Sequence, residues 1–270
     1  MFNEIVVVRG GGDIASGSIQ KLYRSGFRVL VLEIERPSSI RRKVCFGEAV
    51  YENRITIEEI TAAKVKNKDE IFEAWREDII PVVIDPKGKY IDLLKPEIVV
   101  DAILAKKNLG TNRNMAPCTI ALGPGFEAGL DVDIVVETNR GHNLGRLIFH
   151  GKAAKNTGVP GVIAGYSKER VIYSPISGII NNIKDIGDIV RKEDILAYID
   201  NEPVRATING VLRGIIRNKT EVSKGLKIAD IDPRLSEVKN CFTISDKARN
   251  IGGAVLESIL YMKRIGNLSN

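Results

Sequence analysis

The segment SPISGIINNIKDIGDIVRKEDILAYID at 174–200 aligns without a gap on ATINGVLRGIIRNKTEVSKGLKIADID at 206–232, an offset of 32 residues. Identical residues fall at Ile176 and Ile208, Gly178 and Gly210, Val190 and Val222, Ala197 and Ala229, and Asp200 and Asp232. Each copy alternates short apolar runs with turn residues, which predicts several short strands, with Gly178 and Gly210 at a bend. A half-sheet of this size cannot bury its apolar face alone. Two copies therefore predict one compact β-module closed over a shared core.

The beginning of the chain carries a different pattern. Ile5–Val8 is a continuous β-branched run, suited to a buried parallel strand, and Asp13–Ser25 has helical apolar spacing through Ile14, Ile19 and Leu22. Between them Gly10, Gly12 and Ala15 give G-x-G-x-x-A, with Gly11 at its second position, and a second apolar strand, Arg28–Ile34, ends at Glu35. Strand, glycine turn, helix, strand and acid is the order of a dinucleotide fold: glycine admits a pyrophosphate to the backbone, the helix N-terminus favours its charge, and the acid binds a ribose hydroxyl. On this reading Gly10, Gly11, Gly12, Asp13 and Glu35 are cofactor-binding candidates. The alternative is a packed turn with Asp13 as a helix cap. Short apolar runs at Pro81–Asp85 and Glu97–Leu104 continue a parallel α/β layer, while Ile57–Val65 fits a helix or a strand plus a helix. Arg36, Arg41, Arg42 and Lys43 follow the second strand, as a ligand clamp or as a solvated basic loop.

A third informative stretch is APCTIALGPGFEAGLDVDIVVETNRGHNLGRLIFHG, residues 116–151. Two strands flank Gly123-Pro124-Gly125-Phe126, a turn whose backbone can approach a ligand. Glu137, Arg140, His142 and Arg146 follow within ten residues. A carboxylate, an imidazole and guanidinium groups beside a glycine turn can hold an anion and move a proton, which adds Gly123, Gly125, Arg140 and His142 to the binding candidates. Glu137, Arg140, His142 and Cys118 are the catalytic candidates, and internal ion pairs in a solvated loop are the alternative.

With 270 residues, 44% of them hydrophobic, the chain has the length of two ordinary domains. Its 40 Lys and Arg against 34 Asp and Glu favour anionic partners, but the charge is spread out, which argues against nucleic acid. Cys45, Cys118 and Cys241 lie far apart, and with His142 and His150 they provide no metal-ligand spacing. No basic-flanked apolar leader and no run of about 18 apolar residues is present, which predicts a cytoplasmic protein without a membrane segment.

Residues Ser174–Asp232 resemble the barrel-sandwich hybrid of biotinyl and lipoyl domains. Those domains carry a modified lysine on the hairpin joining their halves, and here that hairpin is DNEPVRA, Asp200–Ala206, without lysine. The resemblance therefore implies the module without biotin or lipoate, in a structural or docking role. The order RGGGDIASG, LGPGF, ETNRGH, a lysine-free module and SDKARNIGGAVLESIL resembles the YqeB family of accessory proteins over nearly the whole chain. That resemblance implies a role in maturing selenium-dependent molybdenum hydroxylases, such a hydroxylase as partner, and an anionic cofactor, molybdopterin or an NAD(P)-like nucleotide. The N-terminal half is similar to the Rossmann part of XdhC-type maturation proteins.

The expected fold class is thus α/β: a Rossmann-like domain at 1–112, a connecting α/β segment at 113–170, a lipoyl-like β-module at 171–235, and at 236–270 a C-terminal helix packed on the first domain. Ser245 caps that helix, and Ala248, Ile251, Val255, Ile259 and Met262 keep its spacing. Three functions remain side by side: a hydroxylase-maturation factor, an NAD(P)-dependent oxidoreductase using the opening glycines and Glu35, and a non-catalytic docking scaffold. A homo-oligomer is compatible with each.

Overall fold

The structure, a computed structural model, describes residues 4–268. It contains two compact units, one built from Met1–Pro37, Cys45–Asn156 and Ile244–Asn270, the other from Ser38–Val44 and Thr157–Thr243. These boundaries differ from the four sequence segments, because the ends of the chain return to the first unit.

The first unit holds β1 (Ile5–Arg9), β2 (Arg28–Glu33), β3 (Arg54–Ile57), β4 (Ile60–Val65), β5 (Ile80–Ile84), β6 (Ile98–Asp101), β7 (Cys118–Leu122), β8 (Glu127–Ala128), β9 (Ile134–Val136), β10 (Leu147–Ile148) and β11 (Gly151–Lys152). Its helices are α1 (Asp13–Arg24), α2 (Ala49–Glu52), α3 (Lys68–Arg76), α4 (Lys89–Leu94) and α5 (Asp246–Arg264). Nine strands form one sheet in the order β10-β9-β7-β6-β1-β2-β5-β4-β3, and β8 pairs with β11 apart from it. β1, the central strand, has Val6, Val7 and Val8 fully buried, one face under α1 and α5 and the other under α3 and α4. On the first face Val6, Val8, Val29 and Val31 meet Ile19 and Leu22 of α1 and Ile251, Val255 and Ile259 of α5. Ser245 caps α5 by accepting from the Ala248 N–H (3.2 Å), and Asn67 caps α3 by accepting from Glu70 (2.9 Å).

The second unit holds β12 (Val171–Tyr173), β13 (Gly178–Asn182), β14 (Ile189–Val190), β15 (Ile195–Ile199), β16 (Glu202–Arg205), β17 (Gly210–Ile215), β18 (Glu221–Val222) and β19 (Lys227–Asp232). Strands β13, β14 and β15 of one repeat correspond to β17, β18 and β19 of the other. The repeats exchange strands: β14 pairs with β17, and β18 pairs with β13, giving sheets β12-β19-β17-β14 and β16-β15-β13-β18. Equivalent glycines serve equivalent contacts. A Cβ on Gly178 would come within 2.3 Å of the Asp200 carboxylate, and one on Gly210 within 2.2 Å of the Asp232 carbonyl oxygen.

The expected fold class is corrected in both parts. In place of a parallel Rossmann-like layer ending near residue 112, the large sheet is mixed and continues to Ile148. β3 turns directly into β4 through Glu58 and Glu59, both with positive φ (46° and 73°), a connection that joins antiparallel neighbours, and β10 returns antiparallel beside β9 after the loop 137–146. The links β6–β7 and β7–β9 contain no α-helix, and α5 covers these strands from the far end of the chain. In place of a self-contained barrel-sandwich hybrid at 171–235, the second unit is two four-stranded antiparallel sheets together with the distant segment Ser38–Val44, which adds no strand to them. Buried Arg41 ties that segment in, donating to the carbonyls of Asn240 and Thr243 (both 3.1 Å), and Arg42 donates to Ile215 (3.1 Å) and pairs with Asp185. These two arginines of the basic cluster are thereby structural. No helix among the described residues is long and apolar enough to cross a membrane.

Candidate functional site

Parallel strands β1, β2, β5, β6, β7 and β9 end on the same edge of the sheet, the edge at which α/β proteins place ligands. Helices α1 and α5 run side by side in the same sense: Gly17 backs onto Ala248, and Gly252, further along α5, lies over Gly17 and Lys21. Their N-termini therefore sit together at this edge. Each directs the positive end of its dipole there, and in α5 the Ser245 side chain already takes the Ala248 N–H.

The opening glycine segment and the loop after β9 supply the surrounding charges. Lys247, in the first turn of α5, lies within electrostatic reach of Asp13 from the opening glycine segment, Glu137 and Arg140 from the loop after β9, and its neighbour Asp246. Burial pushes the Lys247 pKa down, the Arg140 guanidinium pushes the same way, and the three carboxylates oppose them. Arg140 grips Asp246 with both terminal nitrogens, at 2.9 and 3.1 Å. This bidentate hydrogen bond, only partly offset by burial, raises the Arg140 pKa. Glu137 is buried and its two oxygens accept from the N–H groups of Asn139 (2.6 Å) and Ala154 (2.7 Å). It shapes the loop.

The glycines divide by role. Gly10 has φ +93°, and its N–H donates to the Leu32 carbonyl (2.8 Å). Gly11 donates to Glu33 Oε2 and accepts from the Gly47 N–H, both at 2.8 Å, and a Cβ on Gly11 would lie 2.6 Å from the Gly47 nitrogen. Gly10 and Gly11 are thus engaged by the protein itself, and only Gly12, the N-cap of α1, opens on the helix end. Gly123 (φ +75°) abuts Thr138, and Gly125 (φ +114°) abuts the backbone of Lys106 and Lys107, so this turn packs against its own chain.

The acid at the end of the second strand is Glu33, not Glu35. Glu33 accepts from Gly11 and from Ile34 (2.8 Å each), and burial pushes its pKa up against those two bonds, whereas Glu35 is exposed. His142 lies apart from the Lys247 cluster, exposed on an open groove of about 510 Å³ with Leu144, Arg146, Phe149, Glu257 and Tyr261. Cys118 is fully buried in β7, where burial first and Asp133 second push its thiol up to about 12, so it is no nucleophile. Among the described residues no group of three or more His, Cys, Asp or Glu is placed to hold a metal ion. Lys247 escaped the sequence reading because SDKARN carries the local signature of a helix cap; its partners lie as far away as Asp13, and no spacing rule connects them.

No protein-family model matches the chain. Over 264 residues it is 47% identical to the uncharacterized protein YqeB of Escherichia coli (strain K12), an alignment spanning 98% of this chain and 49% of that protein. The chain is a homologue of YqeB. It spans about half the length of that relative. Solved structures with partial likeness are the product-bound ectoine utilization protein EutE (DoeB) from Ruegeria pomeroyi, with 10% identity, 85% of each chain covered and a TM-score of 0.26. A succinylglutamate desuccinylase from Silicibacter sp. TM1040 gives 13%, 85% of this chain and 84% of the other, and 0.25. An aspartoacylase family protein from Mesorhizobium loti gives 13%, 86% of each chain and 0.29. At such scores these likenesses carry no activity to this YqeB homologue. The expectation of a selenium-dependent molybdenum hydroxylase maturation role is set aside: the relative YqeB is described as uncharacterized and lends the chain no such role. The NAD(P)-dependent oxidoreductase alternative falls with Glu35, whose side chain stands in solvent while Glu33 holds the glycine turn.

Proposed function

We propose that the first unit binds a small phosphate-bearing anion at the paired N-termini of α1 and α5. The observation that carries this reading is Lys247, a partly buried cation standing at both helix ends. Helix N-termini supply N–H donors and favourable dipoles for phosphate oxygens, and an ammonium in a partly dry position adds a strong point charge. The first-turn N–H groups of α1, reached past Gly12, take the oxygens, Lys247 neutralises them, and Arg140, steered by Asp246, closes one side. Asp13 opposes the anion and limits its affinity. A nucleotide or molybdopterin meets the chemical requirement through its phosphates.

The test is calorimetric titration with pyrophosphate, ATP, NAD, NADP and molybdopterin, with thermal melts of each variant alongside. Lys247→Gln is expected to weaken binding of whichever ligand binds by about tenfold or more, the loss of a charge-assisted contact, at little change in melting temperature. No binding of any of the five at millimolar concentration removes the proposal.

A further inference from the structure

Immediately before the opening glycines, the sheet buries an ion pair. Arg9 ends β1 and Asp101 ends β6, the two are register partners, and their charged atoms lie 3.7 Å apart at side-chain exposures of 5% and 2%. β1 is flanked by β2 on one side and β6 on the other, so the connections lead away in opposite directions at this point. In open α/β sheets a crevice forms outside the strand ends at such a place. Here the chain fills it with its own residues. Thr111, also buried, puts its hydroxyl between the pair, accepting from Arg9 and donating to Asp101, and Arg9 reaches the Pro86 carbonyl at 3.5 Å.

Thr111 ends a loop, 102–111, that has neither helix nor strand. Leu104 and Lys106 adopt positive φ (59° and 62°), a conformation that strains residues with a Cβ, and Leu109 is about half exposed. The loop is seated by glycines and by Asn108. A Cβ on Gly10 would lie 3.0 Å from the Ala102 carbonyl oxygen and one on Gly125 2.7 Å from the Lys107 nitrogen, while the Asn108 side chain accepts from the N–H groups of Gly110 (2.8 Å) and Thr111 (2.9 Å). Ala102 is buried in the core and Leu104 packs against it, which anchors the start of the loop, whereas no apolar residue of the loop is buried beyond Leu104.

We infer that residues 105–111 are a displaceable lid over a sugar-hydroxyl subsite made by Arg9 and Asp101, and that the ligand of the first unit is a sugar phosphate. The inference rests on the phosphate site proposed above. A sugar hydroxyl can do what Thr111 does, accepting from the guanidinium and donating to the carboxylate. The swap leaves neither charge of a buried pair unpaired, the outcome that would be most costly. Burial pushes the Asp101 pKa up, while Thr111, Ile103 and Arg9 hold it down, so the carboxylate needs a donor in that place. Because Arg9 directly precedes Gly10–Gly12, a ligand with phosphate at the α1 N-terminus brings its sugar to this pair.

The probes are ribose 5-phosphate and inorganic phosphate, followed by calorimetry, with trypsin cleavage after Lys106 and Lys107 reporting the lid by mass spectrometry. Ribose 5-phosphate is expected to bind about tenfold more tightly than phosphate, the worth of hydrogen bonds to charged groups, and to speed cleavage at the two lysines. Thr111→Ala removes the internal competitor and should tighten ribose 5-phosphate a further ~3-fold with phosphate affinity unchanged. Equal affinities for the two probes, or weaker sugar phosphate binding in Thr111→Ala, overturns the lid and its subsite while leaving the phosphate site standing. Failure of both probes to bind overturns the two proposals together.

Discussion

Gly17 of α1 and Gly252 of α5 face each other so closely that a Cβ on Gly252 would lie 2.3 Å from the Gly17 carbonyl oxygen, and a Cβ on Gly17 would lie 2.1 Å from the carbonyl oxygen of Ala248. Backbone touches backbone here, and no flexible side chain can yield. Gly252→Ala is therefore expected to destabilise the protein by about 1–3 kcal/mol through overpacking, and to disturb anion binding by parting the two helix ends. The adjacent Gly253 has open space around its would-be Cβ, so Gly253→Ala should stabilise by up to ~1 kcal/mol through helix propensity alone. Urea unfolding of the two variants decides it; equal effects would mean that the helices are not in contact at Gly252.

Glu33 and Glu35 differ in what they hold. Removing the Glu33 carboxylate leaves the Gly11 N–H without its acceptor, and Glu33→Ala should cost about 1–3 kcal/mol. Glu35→Ala, at an exposed position, should stay within about 0.5 kcal/mol. Chemical denaturation measures both.

Asp13 sets a sign that distinguishes the proposed anion site from a purely structural charge cluster. Asp13→Asn removes a negative charge from the first turn of α1, beside Lys247, and should strengthen phosphate binding ~2–5-fold at low salt. Calorimetry at two salt concentrations gives the result, and weaker binding would place the anion elsewhere.

In the second unit Asp232 is held below the usual carboxylate range. Burial pushes its pKa up, but the side-chain and backbone donors of Arg234, with Arg213 beyond, outweigh it. A carboxyl depressed in the folded state adds stability that is complete above its unfolded pKa of about 3.9 and is lost as pH falls through the lower folded value. The melting temperature of Arg234→Gln should accordingly fall short of wild type at pH 6 and converge with it as the pH falls below the unfolded value of about 3.9 and on through the lower folded one.

Cys118 offers a kinetic test of its burial. With the thiol raised to about 12 and fully enclosed, iodoacetamide at pH 8 should leave it unmodified until urea unfolds the sheet. Peptide mass spectrometry locates the label, and rapid labelling in the native protein would mean that β7 opens locally.

Local order was legible in the amino acids. The 32-residue offset reappears strand by strand, as β14 against β18 and β15 against β19, because period-2 alternation and turn glycines act over a few residues. Ser245 announced the start of α5 for the same reason: a cap bonds to the N–H three residues on. The tertiary structure alone decided the rest. Which strand of one repeat lies beside which of the other, whether β3 and β10 run against their neighbours, and that Glu33 instead of Glu35 meets the glycine turn all follow from how buried faces find cover. Lys247 beside Asp13 is the extreme case, since two charges from opposite ends of the chain meet only because Gly17 and Gly252 let α1 and α5 close on one another. Sequence spacing carries contacts within a helix turn or a strand pleat; a site assembled from both termini exists only once the core between them has packed.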